Sequence, residues 1–304
     1  MIKYYKGGGK AELKELEKLS PSSWLNVLNP DKEEIGFLVD KFGLEENLLI
    51  DGLDLYEMPR IEQENKNIYI FLRVPTSRIE NESTSSFLIV ITKNNLITMG
   101  KTDLEIFGEL PKSKYFSTDR KLRCVLQILF YVFRAFNLNV RRILKEVKRD
   151  KRNIKRLKEK DILDLVLQED MLNDYLFSFS PLIDIYNKIL KIRDLKFKED
   201  EKEFIEDLVI DLNQTFNTCK SALKTISNMR NYYSTTLTNN LNRIITILTI
   251  FTVFLTIPTV ISSVYGMNIL LPFQNLPNLF MFLVGITIFI WVIILVVFKK
   301  KKLI

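Results

Sequence analysis

Residues 244–268 read IITILTIFTVFLTIPTVISSVYGMN, and residues 279–298 read LFMFLVGITIFIWVIILVVF. Neither Ile244–Val264 nor Leu279–Phe298 contains a charged residue. Each is about 20 residues long, which at a rise of about 1.5 Å per residue matches the roughly 30 Å hydrocarbon core of a bilayer. Stretches of this length without charge are rare in soluble proteins, so the two segments are expected to cross a membrane as a helical hairpin. The flanks set the orientation. Arg243 precedes the first segment, Lys299, Lys300, Lys301 and Lys302 follow the second, and the connector Tyr265–Asn278 has no Lys or Arg. By the positive-inside bias, both termini lie in the cytoplasm and the connector lies outside.

About 240 of the 304 residues precede the hairpin, enough for one or two cytosolic domains with cores of their own. Met1–Lys10 has no apolar stretch of the kind a signal peptide needs, which keeps this part in the cytoplasm. Gly7-Gly8-Gly9-Lys10 lacks the spacing and the Ser or Thr of a phosphate loop and reads as a flexible turn. Much of the net charge of +7 sits in the Lys tail and in Arg141–Lys160. No nucleic-acid signature accompanies either, so membrane lipid, and not nucleic acid, is the expected partner. The chain has no histidine, which removes imidazole acid–base catalysis, His-paired nucleophiles and His-ligated zinc together. No catalytic constellation is visible, and an enzyme is not expected. Cys124 and Cys219 form no Cys-x-x-Cys and read as reduced packing residues.

Asn29-Pro30-Asp31 followed by Glu33 and Glu34 starts a helix that Gly43 should end, giving Pro30–Phe42, with a second short helix after it. The β-branched and aromatic runs Ile68–Val74, Phe87–Thr92 and Leu96–Met99, with a turn at Lys93-Asn94-Asn95, predict strands. Residues 1–115 therefore read as an α/β domain. From Thr118 the pattern is helical, with Leu122, Val125, Leu129, Val132, Phe136, Val140, Ile143 and Val147 on one face. A break near Lys158–Asp161 and a return through Leu163–Ile192 predict an antiparallel helix pair over residues 116–196. Lys198-Glu199-Asp200 then opens a helix free of Gly and Pro as far as Pro258. It should run as a stalk over 197–243 and continue without a break into the first span, 244–264. The outer loop is 265–278, the second span 279–298 and the basic tail 299–304.

Along that helix a polar series recurs at alternating intervals of four and three: Asn231, Thr235, Thr238, Asn242, Thr249, Thr252, Thr256, Thr259 and Ser263, with Ile245 in register. The spacing puts them on one face. Inside a bilayer, such a stripe either packs helix against helix or faces a polar interface or water. Repeated around a symmetry axis, it would line a narrow uncharged pore.

A Gly-Met-Asn tripeptide after a Tyr, closing the first of two C-terminal spans and followed by a short loop and a Lys-rich tail, resembles the CorA-type magnesium channel family. Asp51-Gly52-Leu53-Asp54-Leu55-Tyr56-Glu57-Met58-Pro59-Arg60 is a second point of resemblance, to the family segment in which an acid precedes a Pro-Arg or Pro-Lys pair. The resemblance covers nearly the whole chain. It implies a funnel-shaped homopentamer with an α/β cytosolic domain, long helices and a two-helix transmembrane hairpin, in the cell's plasma (inner) membrane. It implies Mg²⁺ as transported and regulatory ion, with Asn268 forming the outer ring that receives hydrated Mg²⁺ and Tyr265, Gly266 and Met267 shaping it. By position in the family pattern, Asp51 and Asp207 match the acids that hold a regulatory ion between neighbouring subunits, and Lys299–Lys302 match a positive ring at the cytosolic neck. The loop Ile269–Asn278 departs from the pattern in having no acidic residue. A related transporter for Zn²⁺, or for Co²⁺ or Ni²⁺, is the nearest alternative. A membrane-anchored regulatory domain or enzyme is the alternative of a different class.

Overall fold

The computed structural model of the chain describes residues 1–7, 13–79, 82–101, 118, 120–269 and 277–300. Residues 8–10 of the glycine turn, 270–276 of the outer loop, and Lys301 and Lys302 lie outside the described residues. The chain divides into two compact units, Met1–Met229 and Arg230–Ile304.

The first unit is built on a seven-stranded sheet of order β2-β1-β3-β7-β6-β5-β4. Its strands are β1 (Ile2–Lys6), β2 (Lys14–Leu16), β3 (Trp24–Leu28), β4 (Arg60–Glu64), β5 (Asn67–Ile79), β6 (Glu82–Ile91) and β7 (Leu96–Gly100). β3 and β7 pair in parallel and the other neighbours are antiparallel. Alternation along the central strands separates two cores, because successive side chains point to opposite faces. Trp24, Ile68, Ile70, Leu72, Phe87, Ile89 and Leu96 belong to one core. Leu25, Val27, Tyr69, Phe71, Leu88, Val90, Ile97 and Met99 belong to the other.

The second of these cores is covered by α1 (Lys32–Phe42) and α2 (Glu46–Asp51), through Ile35, Leu38 and Leu49. Asp31 caps α1, accepting from the Glu34 N–H at 2.8 Å, while the Glu34 carboxylate accepts from the Asp31 N–H at 3.2 Å. This reciprocal pair satisfies two otherwise orphaned donors and fixes the helix start. Gly43 ends it at φ 61°, in the left-handed region that glycine enters at little cost.

The first core lies under α3 (Lys121–Arg152), α4 (Glu159–Ile189) and the initial part of α5 (Glu199–Tyr265). In α3 the apolar face expected from spacing is buried from Val125 to Val147, while Leu122 is only half-buried. Phe136 packs edge-on to Tyr175 at 5.3 Å and beside Phe179 at 4.9 Å. Arg141, Arg142, Lys145, Lys148 and Arg149 all point to solvent, so this basic stretch is a solvated helix face. The buried carboxylate of Glu201 is tied to Arg120 through both oxygens, at 2.8 and 3.0 Å. Glu201 also accepts the Lys198 N–H at 2.9 Å, so a half-buried arginine and a backbone donor together satisfy the acid where α5 begins. Cys124 and Cys219 are both buried thiols. Burial pushes the Cys219 thiol up to about 12, so it stays protonated and inert, as a packing residue should.

The strand and helix expectations from the sequence hold in kind but not in number. The three predicted strands correspond to β5, β6 and β7, and β1 to β4 add to them. α5 is one helix of 67 residues with Pro258 inside it. The second unit comprises the rest of α5 and α6 (Leu279–Lys300), and both helices are long and apolar enough to cross a membrane. The apolar windows of the two are buried to only 0% and 6% in the chain by itself, unlike the core helix of a soluble protein.

Candidate functional site

On α5, all ten residues of the stripe from Asn231 to Ser263 are exposed in the single chain. Thr246, Ile250, Val253, Ile257, Ile261 and Tyr265 are half-buried instead. At about 100° per residue, these centre roughly 130° around the helix from the stripe residues of the span. Trp291 of α6 contacts Phe254, next to that half-buried face. The stripe is therefore turned away from α6, and helix packing within the hairpin does not account for it.

The threonine hydroxyls share one hydrogen-bond habit. Thr235, Thr249, Thr252, Thr256 and Thr259 each donate to the carbonyl four residues earlier, at 2.7–2.9 Å, and Thr238 does so at 3.0 Å. Off-stripe Thr236 and Thr246 do the same, so the habit follows from helical threonine and is not a mark of the stripe. Its consequence on the stripe is chemical. With the hydroxyl proton committed to the backbone, what each oxygen offers outward is a lone pair.

α5 ends at Tyr265. The Gly266 N–H donates to the Ser262 carbonyl at 2.9 Å and the Met267 N–H to the Val264 carbonyl at 3.3 Å, closing the last turn. At Gly266 a Cβ would lie 3.1 Å from the Ser262 oxygen, a tight but not prohibitive approach, and the backbone is not in the left-handed region. Met267 and Asn268 are exposed beyond the turn. Tyr265 lines a mostly apolar cavity of about 490 Å³ together with Pro258, Ile261, Phe280, Thr287 and Trp291. Lys299 and Lys300 end α6, exposed.

Asp51 is the last residue of α2, and the turn after it is built tightly. A Cβ on Gly52 would meet the Leu88 side chain at 2.8 Å, and the Gly52 carbonyl accepts from the Ser86 hydroxyl at 3.1 Å. Arg73, which is buried, donates to the Leu55 carbonyl at 2.5 Å, the Glu57 carbonyl at 3.4 Å and the Thr84 hydroxyl at 2.8 Å. It thereby pins the loop that leads to Pro59-Arg60. Arg60 gathers three carboxylates: Asp51 at 2.8 Å, Glu57 and Glu62, with its guanidinium 4.0 Å above the Phe71 ring. Sequence reasoning singled out the Asp51–Arg60 segment but missed Arg73 and the Arg60 pairing. An arginine inside an otherwise apolar strand, Ile70-Phe71-Leu72-Arg73-Val74, was the available signal.

Asp207 is exposed on α5, on the opposite side of the sheet from α2. The fold does not bring Asp51 and Asp207 together within one chain. Among the described residues, no group of three or more His, Cys, Asp or Glu is placed to hold a metal ion.

Residues 21–300 match the family described as CorA-like Mg²⁺ transporter protein. The chain belongs to this family. The cobalt/magnesium transport protein CorA of Methanocaldococcus jannaschii is 26% identical over 295 residues, covering 91% of this chain and 90% of that protein. Among solved structures, the complete CorA magnesium transporter from the same organism superposes with a TM-score of 0.85 at 22% identity, covering 100% of this chain and 99% of that one. The full-length CmaX protein gives 0.77 at 18% identity, covering 99% and 97%. The cytoplasmic domain of ZntB from Vibrio parahaemolyticus gives 0.64 at 11% identity, covering 78% of this chain and 98% of the domain. The CorA fold thus extends over the whole chain: an α/β soluble part, long helices and a C-terminal apolar helix.

The Arg73 arrangement carries a prediction independent of ion transport. Arg73→Met leaves the Leu55 and Glu57 carbonyls without their donor, and should lower stability by about 1–3 kcal/mol. It should also speed proteolysis within residues 52–59. Thermal unfolding and limited digestion read both effects, and an unchanged pattern would mean that the loop holds itself.

Proposed function

We propose that this CorA-family chain forms a homopentameric channel that admits hydrated Mg²⁺ across the plasma membrane, with both termini in the cytoplasm. The observation that carries the reading is the exposed polar stripe of α5, turned away from α6 and leading to Asn268 at the end of the first span. Family membership supports a divalent-cation transporter, and the named cobalt/magnesium relative makes Co²⁺ the first competing ion to test, with Ni²⁺ and Zn²⁺ after it.

The chemistry follows from the ion. Mg²⁺ holds its waters at about 2.0–2.1 Å and gives them up reluctantly, so a path that leaves the shell intact avoids a large dehydration cost. The waters of a hydrated cation present their hydrogens outward. They need acceptors, and threonine oxygens whose protons are already committed, with the amide oxygens of Asn242 and Asn268, supply acceptors without charge. Neutral oxygens also avoid trapping a divalent ion by direct pairing. Tyr265, Gly266 and Met267 form the turn that sets Asn268 at the mouth, and Lys299–Lys302 contribute positive charge at the cytosolic neck.

In the same reading, cytosolic Mg²⁺ bridges neighbouring subunits between Asp51 and Asp207, which one chain keeps apart. The Arg60 guanidinium already partners Asp51, so a bridging ion has to share or displace it. Ile50, Tyr56 and Met58 are exposed apolar residues around Asp51, as befits a face that another subunit covers.

Mg²⁺ flux into proteoliposomes tests the proposal directly, since a membrane-anchored regulatory domain passes none. Asn268→Ala should reduce Mg²⁺ flux at least about tenfold while the assembly survives in size-exclusion chromatography. Full flux in that variant removes Asn268 from the path.

Thr256→Leu and Thr259→Leu put apolar bulk on the stripe and should block flux, whereas Ile257→Leu, on the half-buried face across the helix, should leave it nearly unchanged. Equal loss at all three positions would show that the pore face is assigned wrongly.

For regulation, Asp51→Ala or Asp207→Ala should raise the Mg²⁺ concentration that protects the cytosolic part from protease by about fivefold or more, and should leave flux intact at low internal Mg²⁺. Protection at an unchanged concentration would return both acids to ordinary solvated surface.

A further inference from the structure

Pro258 lies inside α5 and has no N–H to give to the Phe254 carbonyl one turn earlier. In hydrocarbon no water replaces the lost donor, so an unpaired carbonyl there is costly. A donor comes from the neighbouring helix instead. The indole Nε1–H of Trp291 on α6 donates to the Phe254 oxygen at 3.1 Å, and its ring packs on the Phe254 ring with centroids 5.4 Å apart and planes 33° apart. The next carbonyl, that of Leu255, accepts the Thr259 hydroxyl at 2.7 Å. The Phe254 and Leu255 carbonyls thus each accept from a side chain, one from each helix.

The match of donor to acceptor is specific. Pro258 is the proline of α5, and Phe254 is the residue whose carbonyl it strips of an intrahelical partner. A tryptophan that served only to fill space would have no reason to aim its N–H at that oxygen. We propose that Trp291 is a positioning residue for the pore, a latch that fixes the direction of α5 at Pro258 against α6. Thr256 and Thr259 flank Pro258, so any bend there moves two stripe oxygens relative to the ion path. Making or breaking one hydrogen bond between the helices then biases the conformation of the pore. The proposal rests on reading α5 as the pore helix.

The test uses four full-length proteins in lipid: the parent, Trp291→Phe, Pro258→Ala and the double variant. Trp291→Phe keeps the ring contact and loses the donor, while Pro258→Ala restores the backbone N–H that the Phe254 carbonyl lacks. The chain has two tryptophans, so the indole signal absent from Trp291→Phe identifies that of Trp291 in ¹⁵N-labelled protein. In the parent this indole proton should be protected from exchange, and in Pro258→Ala it should exchange about tenfold faster, because the restored N–H competes for the same carbonyl. Trp291→Phe should shift the Mg²⁺ concentration for half-closure by about two- to tenfold in the parent background and not at all in the Pro258→Ala background. Equal indole exchange in the parent and Pro258→Ala, or an equal shift by Trp291→Phe in both backgrounds, would overturn the latch. If the parent passes no Mg²⁺, the pore reading of α5 fails, and the exchange difference alone decides whether the latch exists.

Discussion

Backbone amides and carbonyls that enter hydrocarbon must find their partners inside the protein, and the second unit of this chain is organised by that requirement. A helix is the simplest answer, and α5 and α6 are helices through their apolar stretches. What remains are the places where a helix alone does not suffice. The turn at Gly266 and Met267 closes the end of α5 with its own backbone. At Pro258 the helix loses a donor that the sequence of α5 cannot replace, and an indole from α6 takes its place.

The first unit obeys a different rule, that of the pleat. Two cores are written into one sheet by alternation along β3, β5, β6 and β7, and each face then selects its cover: two short helices on one side, three long ones on the other. Asp51 ends one of the short helices and Asp207 sits on one of the long ones. The sheet thus lies between these two acids.

What the sequence made legible was whatever depends on local repetition. Twenty uncharged residues, a three-four rhythm of threonines and a long interval without Gly or Pro announce α5 and α6, and the apolar periodicity from Val125 to Val147 announces α3. The strands β5, β6 and β7 were legible from their β-branched and aromatic runs. The strands β1 to β4 were not. Ile2–Lys6, Lys14–Leu16 and Arg60–Glu64 are short, rich in charge and near the sheet's margins, and Trp24–Leu28 is five residues interrupted by Asn26, so neighbours rather than composition decide their pairing. The same limit applied to the site. Asp51 and the Pro59-Arg60 pair stood out as a segment, but the grip of Arg60 on Asp51, and of Arg73 on the loop between them, depends on side chains that only the folded sheet brings near.

The habit of the α5 threonines has a consequence for protons. A hydroxyl relays a proton only if it accepts one hydrogen bond and passes its own hydrogen along the same line, and the hydrogens of Thr249, Thr252, Thr256 and Thr259 are directed sideways into the helix at 2.7–2.9 Å. Such a column of side chains is a poor wire. With no histidine in the chain and no acid in the span, it also lacks any titratable station at neutral pH.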